Sequence, residues 1–213
     1  MTTKVKICGL KTEAALEAAL AGGADYVGLV FFPKSPRNVT PALAKALADK
    51  ARGRARIVAL TVDADDALLD TIAAAVAPDL IQLHGEESPD RVAAIRRRCG
   101  IPVMKAIKVE TADDARRALA YREAADLVLF DARAPADSTR PGGNGAPFDW
   151  RALLGVKDEI AFMLSGGLTP DNVAEAIRTT GAPIVDVSSG VESSPGEKDP
   201  ELIRRFLSAA KGS

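Results

Sequence analysis

Residues 5–32 read VKICGLKTEAALEAALAGGADYVGLVFF. VKIC and YVGLVF are short β-branched and apolar runs, and between them Ala and Leu recur at helical spacing behind Thr12, a residue suited to cap a helix. The segment therefore reads strand, helix, strand, and a helical crossover makes the two strands parallel. The same alternation continues to the end of the chain. Strands are expected at 5–8, 26–31, 57–61, 80–83, 103–106, 127–131, 161–165 and 184–187. The crossover segments after the first are PALAKALADKA (41–51), DDALLDTIAAAV (65–76), SPDRVAAIRRRC (88–99), TADDARRALAYR (111–122), the short FDWRALLG (148–155), TPDNVAEAIRTTG (169–181) and DPELIRRFLSAAK (199–211).

Eight such units predict a (β/α)8 TIM barrel of the phosphate-binding type, with a doubly wound open sheet as the competing architecture. A chain of 213 residues is short for that barrel, and no linker or composition shift divides it, so residues 1–213 are expected to form one domain. The long irregular stretch is ARAPADSTRPGGNGAP (132–147), whose Pro and Gly content bars regular structure and suits a lid.

Composition excludes several classes of function. With 47% hydrophobic and 27% charged residues the chain is too apolar to be disordered. Lys and Arg total 28 against 29 Asp and Glu, so no basic field exists to attract nucleic acid. No signal peptide or membrane-length apolar run occurs, which points to a cytoplasmic protein with no membrane partner. One histidine, His84, rules out centres needing two imidazoles, and two distant cysteines build neither a disulfide framework nor a thiolate zinc site. No metal is expected. A serine triad lacks the GxSxG elbow that would present its nucleophile.

In such barrels the chemistry lies at the carboxyl ends of the strands. Alternation along KVKIC puts Lys6 and Cys8 on one face, which is expected to be the inner one, and a thiol near an ammonium has its pKa lowered enough to act as a base. An inert buried cysteine is the alternative. Asp131 ends LVLFD above Leu127 and Leu129 on its own face; desolvation there would favour the protonated form, a general acid, while a loop-anchoring aspartate is the alternative. SGGLTPDN (165–172) and DVSSGVE (186–192) set glycine-exposed amides after strands seven and eight, where an anion is bound without cationic side chains. Ordinary glycine turns are the alternative. Arg37, in the proline-stiffened FFPKSPRN, could clamp a carboxylate through two parallel hydrogen bonds or lie solvated. Gln82 and His84 share the inward face of strand four without an assigned role. Lys105 could form a Schiff base, but a barrel-interior lysine is expected to pair with a carboxylate at matching depth such as Asp186.

KICGL (6–10), DYVGLVFFPKSPRNV (25–39), IQLHGEE (81–87), FDA (130–132), GGNGAPFDW (142–150), LSGGL (164–168) and VDVSSGVE (185–192), in this order and spacing, resemble the phosphoribosylanthranilate isomerases. The resemblance implies an Amadori rearrangement of a phosphorylated small-molecule substrate in tryptophan biosynthesis, without metal or organic cofactor, by a monomer or homodimer. It implies that Cys8 takes the proton from C2 of the ribose, that Asp131 protonates the ring oxygen, that Arg37 faces the anthranilate carboxylate, and that Gly166, Gly167, Ser189 and Gly190 wrap the phosphate. ALTVDAD (59–65) and the GGNG of the lid depart from the family pattern, which leaves Asp63 and Asn144 without a role. Two rivals remain: a Schiff-base aldolase using Lys105, and a sugar-phosphate-binding barrel without catalysis.

Overall fold

Thr12, Thr40, Asp65, Ser88 and Thr111 each turn a side-chain oxygen onto the amide three residues ahead, and at each the chain enters a helix. These helices are α1 (Glu13–Ala21), α2 (Pro41–Ala51), α3 (Asp66–Val76), α4 (Pro89–Cys99) and α5 (Ala112–Arg116); α6 (Val173–Thr180) and α7 (Pro200–Lys211) complete the set. The computed structural model describes residues 2–133 and 148–212.

Between the helices run β1 (Lys4–Cys8), β2 (Tyr26–Phe31), β3 (Arg56–Thr61), β4 (Leu80–Leu83), β5 (Val103–Val109), β6 (Leu127–Ala132), β7 (Phe162–Leu164) and β8 (Ile184–Val187). Each pairs in parallel with the next, and β8 returns to β1 in the register Lys4↔Ile184 through Ile7↔Val187. That last ladder closes the barrel and removes the open-sheet alternative, in which the outer strands would stay unpaired. All eight anticipated strands are present. β5 runs on to Val109, whereas β7 stops at Leu164 and leaves Ser165 to the following loop.

Two crossovers are less helical than expected. TADDARRALAYR gives the five-residue α5, closed by a Thr111–Asp114 capping box, and then tightens into a 3-10 turn over Arg117–Tyr121. FDWRALLG gives only a 3-10 turn at Trp150–Leu153. α7 buries Ile203, Phe206, Leu207 and Ala210, a three-and-four spacing that lays one stripe on the barrel and α1.

Strand alternation sorts the side chains into layers. Val5 and Ile7 face outward into the core shared with the helices. Tyr26, Val58, Leu80, Met104, Ala106, Leu129 and Met163 face inward and fill the floor of the barrel. Above them lies a buried polar layer of Lys6, Gln82, Ser165 and Asp186. The lower rim is tied by three aspartates placed just before β2, β4 and β6. Asp25 accepts from the Val5 amide at 2.9 Å, Asp79 from Ile57 at 2.7 Å and Asp126 from Val103 at 2.9 Å.

After β8 comes a hairpin the sequence did not announce, β9 (Glu192–Ser194) paired antiparallel with β10 (Glu197–Lys198). Its turn residue Gly196 has φ +87°, and a Cβ there would lie 2.7 Å from the Pro36 carbonyl oxygen, so the hairpin packs directly on the loop that carries Arg37. Among the described residues no helix is long and apolar enough to cross a membrane.

Candidate active site

Cys8 takes the inward face of β1, as alternation required, packed with Val30 and Leu60 of the neighbouring strands. Gly28, opposite it on β2, makes the room: a Cβ there would stand 2.9 Å from the Cys8 sulfur. Beneath the thiol, fully buried Lys6 donates to Asp186 Oδ1 at 2.9 Å, and the Ser165 hydroxyl donates to Asp186 Oδ2 at 3.1 Å. Burial pushes the Cys8 thiol up, and the Lys6 ammonium pulls only part of that back. The expected lowering by Lys6 is present, but desolvation outweighs it, and the resting group is a protonated thiol. Burial acts to lower the pKa of Lys6, yet Asp186 and Cys8 together hold it above the ordinary value, so the ammonium stays charged.

Asp131, next to last on β6, lies on the same inner side, above Leu129 of the barrel floor. The expected apolar stem is there, but the carboxyl group is not isolated. Oδ1 accepts from the Ala132 amide at 3.0 Å, and Oδ2 lies 3.1 Å from His84 Nε2. Gln82 Nε2 in turn lies 2.8 Å from His84 Nδ1, while Gln82 Oε1 is buried without a partner. With the amide NH2 on Nδ1, the imidazole carries its proton on Nε2 and donates it to a charged Asp131. With the amide turned over, Nδ1–H donates to Oε1 and Nε2 accepts from a protonated Asp131. The Gln82–His84 pair therefore serves either protonation state of the acid, and His84, which had no assigned role, belongs to the site.

The glycine loops meet at the other side of the mouth. Gly166 and Gly167 have φ of +88° and +65°. A Cβ on Gly166 would overlap the Ala132 backbone, and one on Gly190 would overlap the Leu168 carbonyl, so both loops need bare backbone. Ser189 opens a 3-10 turn, Ser189–Val191, and the Ser188 hydroxyl donates to the Cys8 carbonyl at 3.2 Å. α6 begins only at Val173, later than the glycine pair led one to expect. Asn172 turns back on its own loop, accepting from Thr169 and donating to the Gly167 carbonyl. The bare amides at this side of the mouth thus belong to loops and a 3-10 start, and not to the α6 terminus.

Arg37 corrects one expectation. It is buried, and its Nε and Nη2 already make the paired bonds to a carboxylate, that of Glu192, at 2.7 and 2.8 Å. Only the remaining Nη edge is left for a ligand. Lys198 Nζ joins the same carboxylate at 2.6 Å and also donates to the Ser188 carbonyl at 2.9 Å. Burial works against the charged Glu192, but Arg37 and Lys198 hold its carboxyl down to about 2. Neither Glu192 nor Lys198 carries a local sequence signal for this site, because only the hairpin brings them to Arg37.

Lys105 corrects another. On β5, Met104 and Ala106 face inward, so Lys105 faces the helix layer; it pairs with Glu87 at 2.8 Å and the Gly85 carbonyl at 2.6 Å. Asp186, its expected partner, lies inside the barrel on Lys6. A lysine on the outer face cannot reach a substrate at the mouth, which removes the Schiff-base rival built on it. Asp63 is a brace: at φ +46° its carboxylate accepts from the Glu86 amide at 2.7 Å, and its own amide donates to Glu87 at 3.0 Å. Asn144 and the lid segment from residue 134 to 147 lie outside the described residues. Among the described residues no three His, Cys, Asp or Glu side chains are grouped to hold a metal.

A family model described as N-(5'phosphoribosyl)anthranilate (PRA) isomerase matches residues 5–209. The N-(5'-phosphoribosyl)anthranilate isomerase of Rhodopseudomonas palustris (strain HaA2) is 60% identical over 213 residues, covering 100% of this chain and 98% of that protein. The crystal structure of phosphoribosyl anthranilate isomerase from Thermotoga maritima superposes with a TM-score of 0.89 at 36% identity, covering 99% of this chain and 100% of that one. A phosphoribosyl anthranilate isomerase solved in complex with reduced 1-(o-carboxyphenylamino)-1-deoxyribulose 5-phosphate superposes with a TM-score of 0.86, again at 36% identity over 99% and 100% of the chains.

Proposed function

This chain belongs to the N-(5'-phosphoribosyl)anthranilate isomerase family, and from that premise we propose that Cys8 and Asp131 divide the two proton transfers of its reaction across the barrel mouth. The enzyme converts N-(5-phosphoribosyl)anthranilate into 1-(2-carboxyphenylamino)-1-deoxyribulose 5-phosphate, an aldose-to-ketose rearrangement in tryptophan biosynthesis. Asp131 gives a proton to the furanose oxygen as the C1–O bond breaks, leaving an iminium between C1 and the anthranilate nitrogen. Cys8 rests as a thiol and reacts from its minor ionised form, held against Lys6: the thiolate removes the proton from C2, and the electron pair moves to give the enolamine, which tautomerises to the ketone. Each proton transfer contributes roughly 100- to 10,000-fold.

The observation that carries this reading is that the sulfur and the carboxyl group face the inside of one closed barrel, from β1 and β6. Lys6 supports the thiolate from below, and the Gln82–His84 pair supports the acid in both of its states. Gly166, Gly167, Ser189 and Gly190 cradle the phosphate through main-chain amides. The free edge of Arg37 meets the anthranilate carboxylate.

All of these groups come from one chain, so a monomer suffices for the chemistry, and a homodimer would carry two independent sites. The span of the family match supports reading residues 1–213 as one barrel domain. A cytoplasmic location fits a biosynthetic enzyme of this kind. Cys8→Ala and Asp131→Ala are the test: each loses turnover by at least about 100-fold while still binding the reduced product analogue. Turnover within a few-fold of the parent in either variant would remove that residue from its role.

A further inference from the structure

Four N–H groups converge on the Glu192 carboxylate. Arg37 Nε and Lys198 Nζ reach Oε1 at 2.7 and 2.6 Å, and Arg37 Nη2 and the Gly196 amide reach Oε2 at 2.8 and 3.2 Å. All three charged side chains are all but sealed from solvent, with exposures of 6% for Arg37, 4% for Glu192 and 1% for Lys198. Two cations therefore share one anion. The other partners of Lys198 are neutral, the carbonyl and hydroxyl of Ser188. Among the described residues, Nη1 of Arg37 donates to nothing.

An isolated Arg37–Glu192 pair would be electrically complete and would hold little attraction for a further carboxylate. Burial pulls the Lys198 amine below its ordinary range and Glu192 works against that pull; with the ammonium formed on Glu192, the sum is one positive charge in excess, inside a region where water screens it poorly. The cluster also lies at the mouth itself. Arg37 packs over Gly9, the residue after Cys8, where a Cβ would stand 2.6 Å from its Cδ, and Ser188 bonds the Cys8 carbonyl.

We propose that Lys198 is a specificity-determining residue: its ammonium, bonded to Glu192, leaves the Arg37 end of the mouth with an uncompensated positive charge that selects a substrate whose aromatic ring bears a carboxylate. The inference rests on Arg37 as the carboxylate site. Lys198 acts through the cluster and need not touch the substrate. Removing its charge leaves the neutral Arg37–Glu192 pair behind, so a methionine of similar length is tolerated at this position better than any change that strands a buried charge.

The test compares two reduced product analogues, one with the ring carboxylate and one with a plain phenyl ring, both carrying the 5-phosphate. Equilibrium dissociation constants are measured for the parent, Lys198→Met, Lys198→Gln, Lys198→Arg and Arg37→Ala. In Lys198→Met and Lys198→Gln the preference for the carboxylate analogue falls roughly tenfold, the order expected on removing one poorly screened unit charge, and Lys198→Arg keeps it. The phenyl analogue binds the three Lys198 variants as it binds the parent. An unchanged preference in both neutral variants overturns the proposal, and so does an equal loss for both analogues, which would place Lys198 on the phosphate. If Arg37→Ala itself keeps the preference, the carboxylate assignment of Arg37 fails. If Arg37→Ala abolishes the preference while the Lys198 variants keep it, only the role of Lys198 fails.

Discussion

Replacing Gly28 by alanine should slow the enzyme far more than it destabilises it. The added Cβ would stand 2.9 Å from the Cys8 sulfur, 3.0 Å from the Cys8 Cα and 3.2 Å from Lys6 Cε. Comfortable carbon contacts begin at about 3.5 Å, so some half ångström or more has to be found. The backbone cannot supply it, because Cys8 and Gly28 are register partners in the β1–β2 ladder and a slip would turn every side chain over. The sulfur has to move. Overpacking of this kind costs about 1–3 kcal/mol, offset by about 0.4–1 kcal/mol from the stiffer unfolded chain, since Gly28 is not among the residues with positive φ. The melting temperature should therefore fall by only a few degrees. A reacting group displaced by up to 1 Å loses on the order of 100-fold in rate, so kcat should drop by about 10- to 100-fold with KM little changed. Steady-state turnover followed by the loss of anthranilate fluorescence, beside a thermal melt, checks both halves. A folded Gly28→Ala protein with kcat within twofold of the parent would refute the placement of the base against β2.

Asp79→Ala, at the opposite end of the barrel, loses the bond to the Ile57 amide and should cost about 1–3 kcal/mol in urea unfolding with kcat unchanged; a fall in kcat would contradict the separation of the two rims. Glu192, held down to about 2 in the fold against an ordinary 4.5, contributes stability that is fully present above pH 4.5 and is lost as the pH falls toward 2. The stability gap between the parent and Glu192→Gln should therefore narrow by up to about 3 kcal/mol on acidification, and a gap that stays constant between pH 6 and 3 would disprove it. Lys6 lowers the Cys8 thiol pKa more than Asp186 raises it, so Lys6→Met with Asp186→Asn should raise that pKa further. Alkylation of Cys8 by iodoacetamide at pH 8, resolved from Cys99 by mass spectrometry, should then be slower, and a faster reaction would reverse the sign of the argument.

The eight strands were legible because each is a short apolar run ended by turn residues, and Cys8 was placed correctly because KVKIC alternates polar and apolar. Lys105 was misplaced for the opposite reason. β5 is covered on both faces, VMKAIKV carries no clean alternation, and a lysine on its outer face looks like one inside. The contact of His84 with Asp131, 47 residues apart, follows from barrel closure and has no local signature. The β9–β10 hairpin is made by its packing on Pro36, so Glu192 and Lys198 could not be joined to Arg37 from composition or spacing. The lower rim does carry a sequence signal: ADY, PDL and ADL at 24–26, 78–80 and 125–127 repeat the aspartate that ties it.

The division of labour between sulfur and carboxyl is tested most directly by separating ring opening from carbon deprotonation. NMR of substrate with each variant can follow interconversion of the two C1 anomers, which needs only ring opening, beside appearance of the ketose. Cys8→Ala should accelerate anomer exchange above the uncatalysed rate and make no ketose, while Asp131→Asn should do neither. Ketose formation by Cys8→Ala, or anomer exchange at the parent rate in Asp131→Asn, would contradict the assignment.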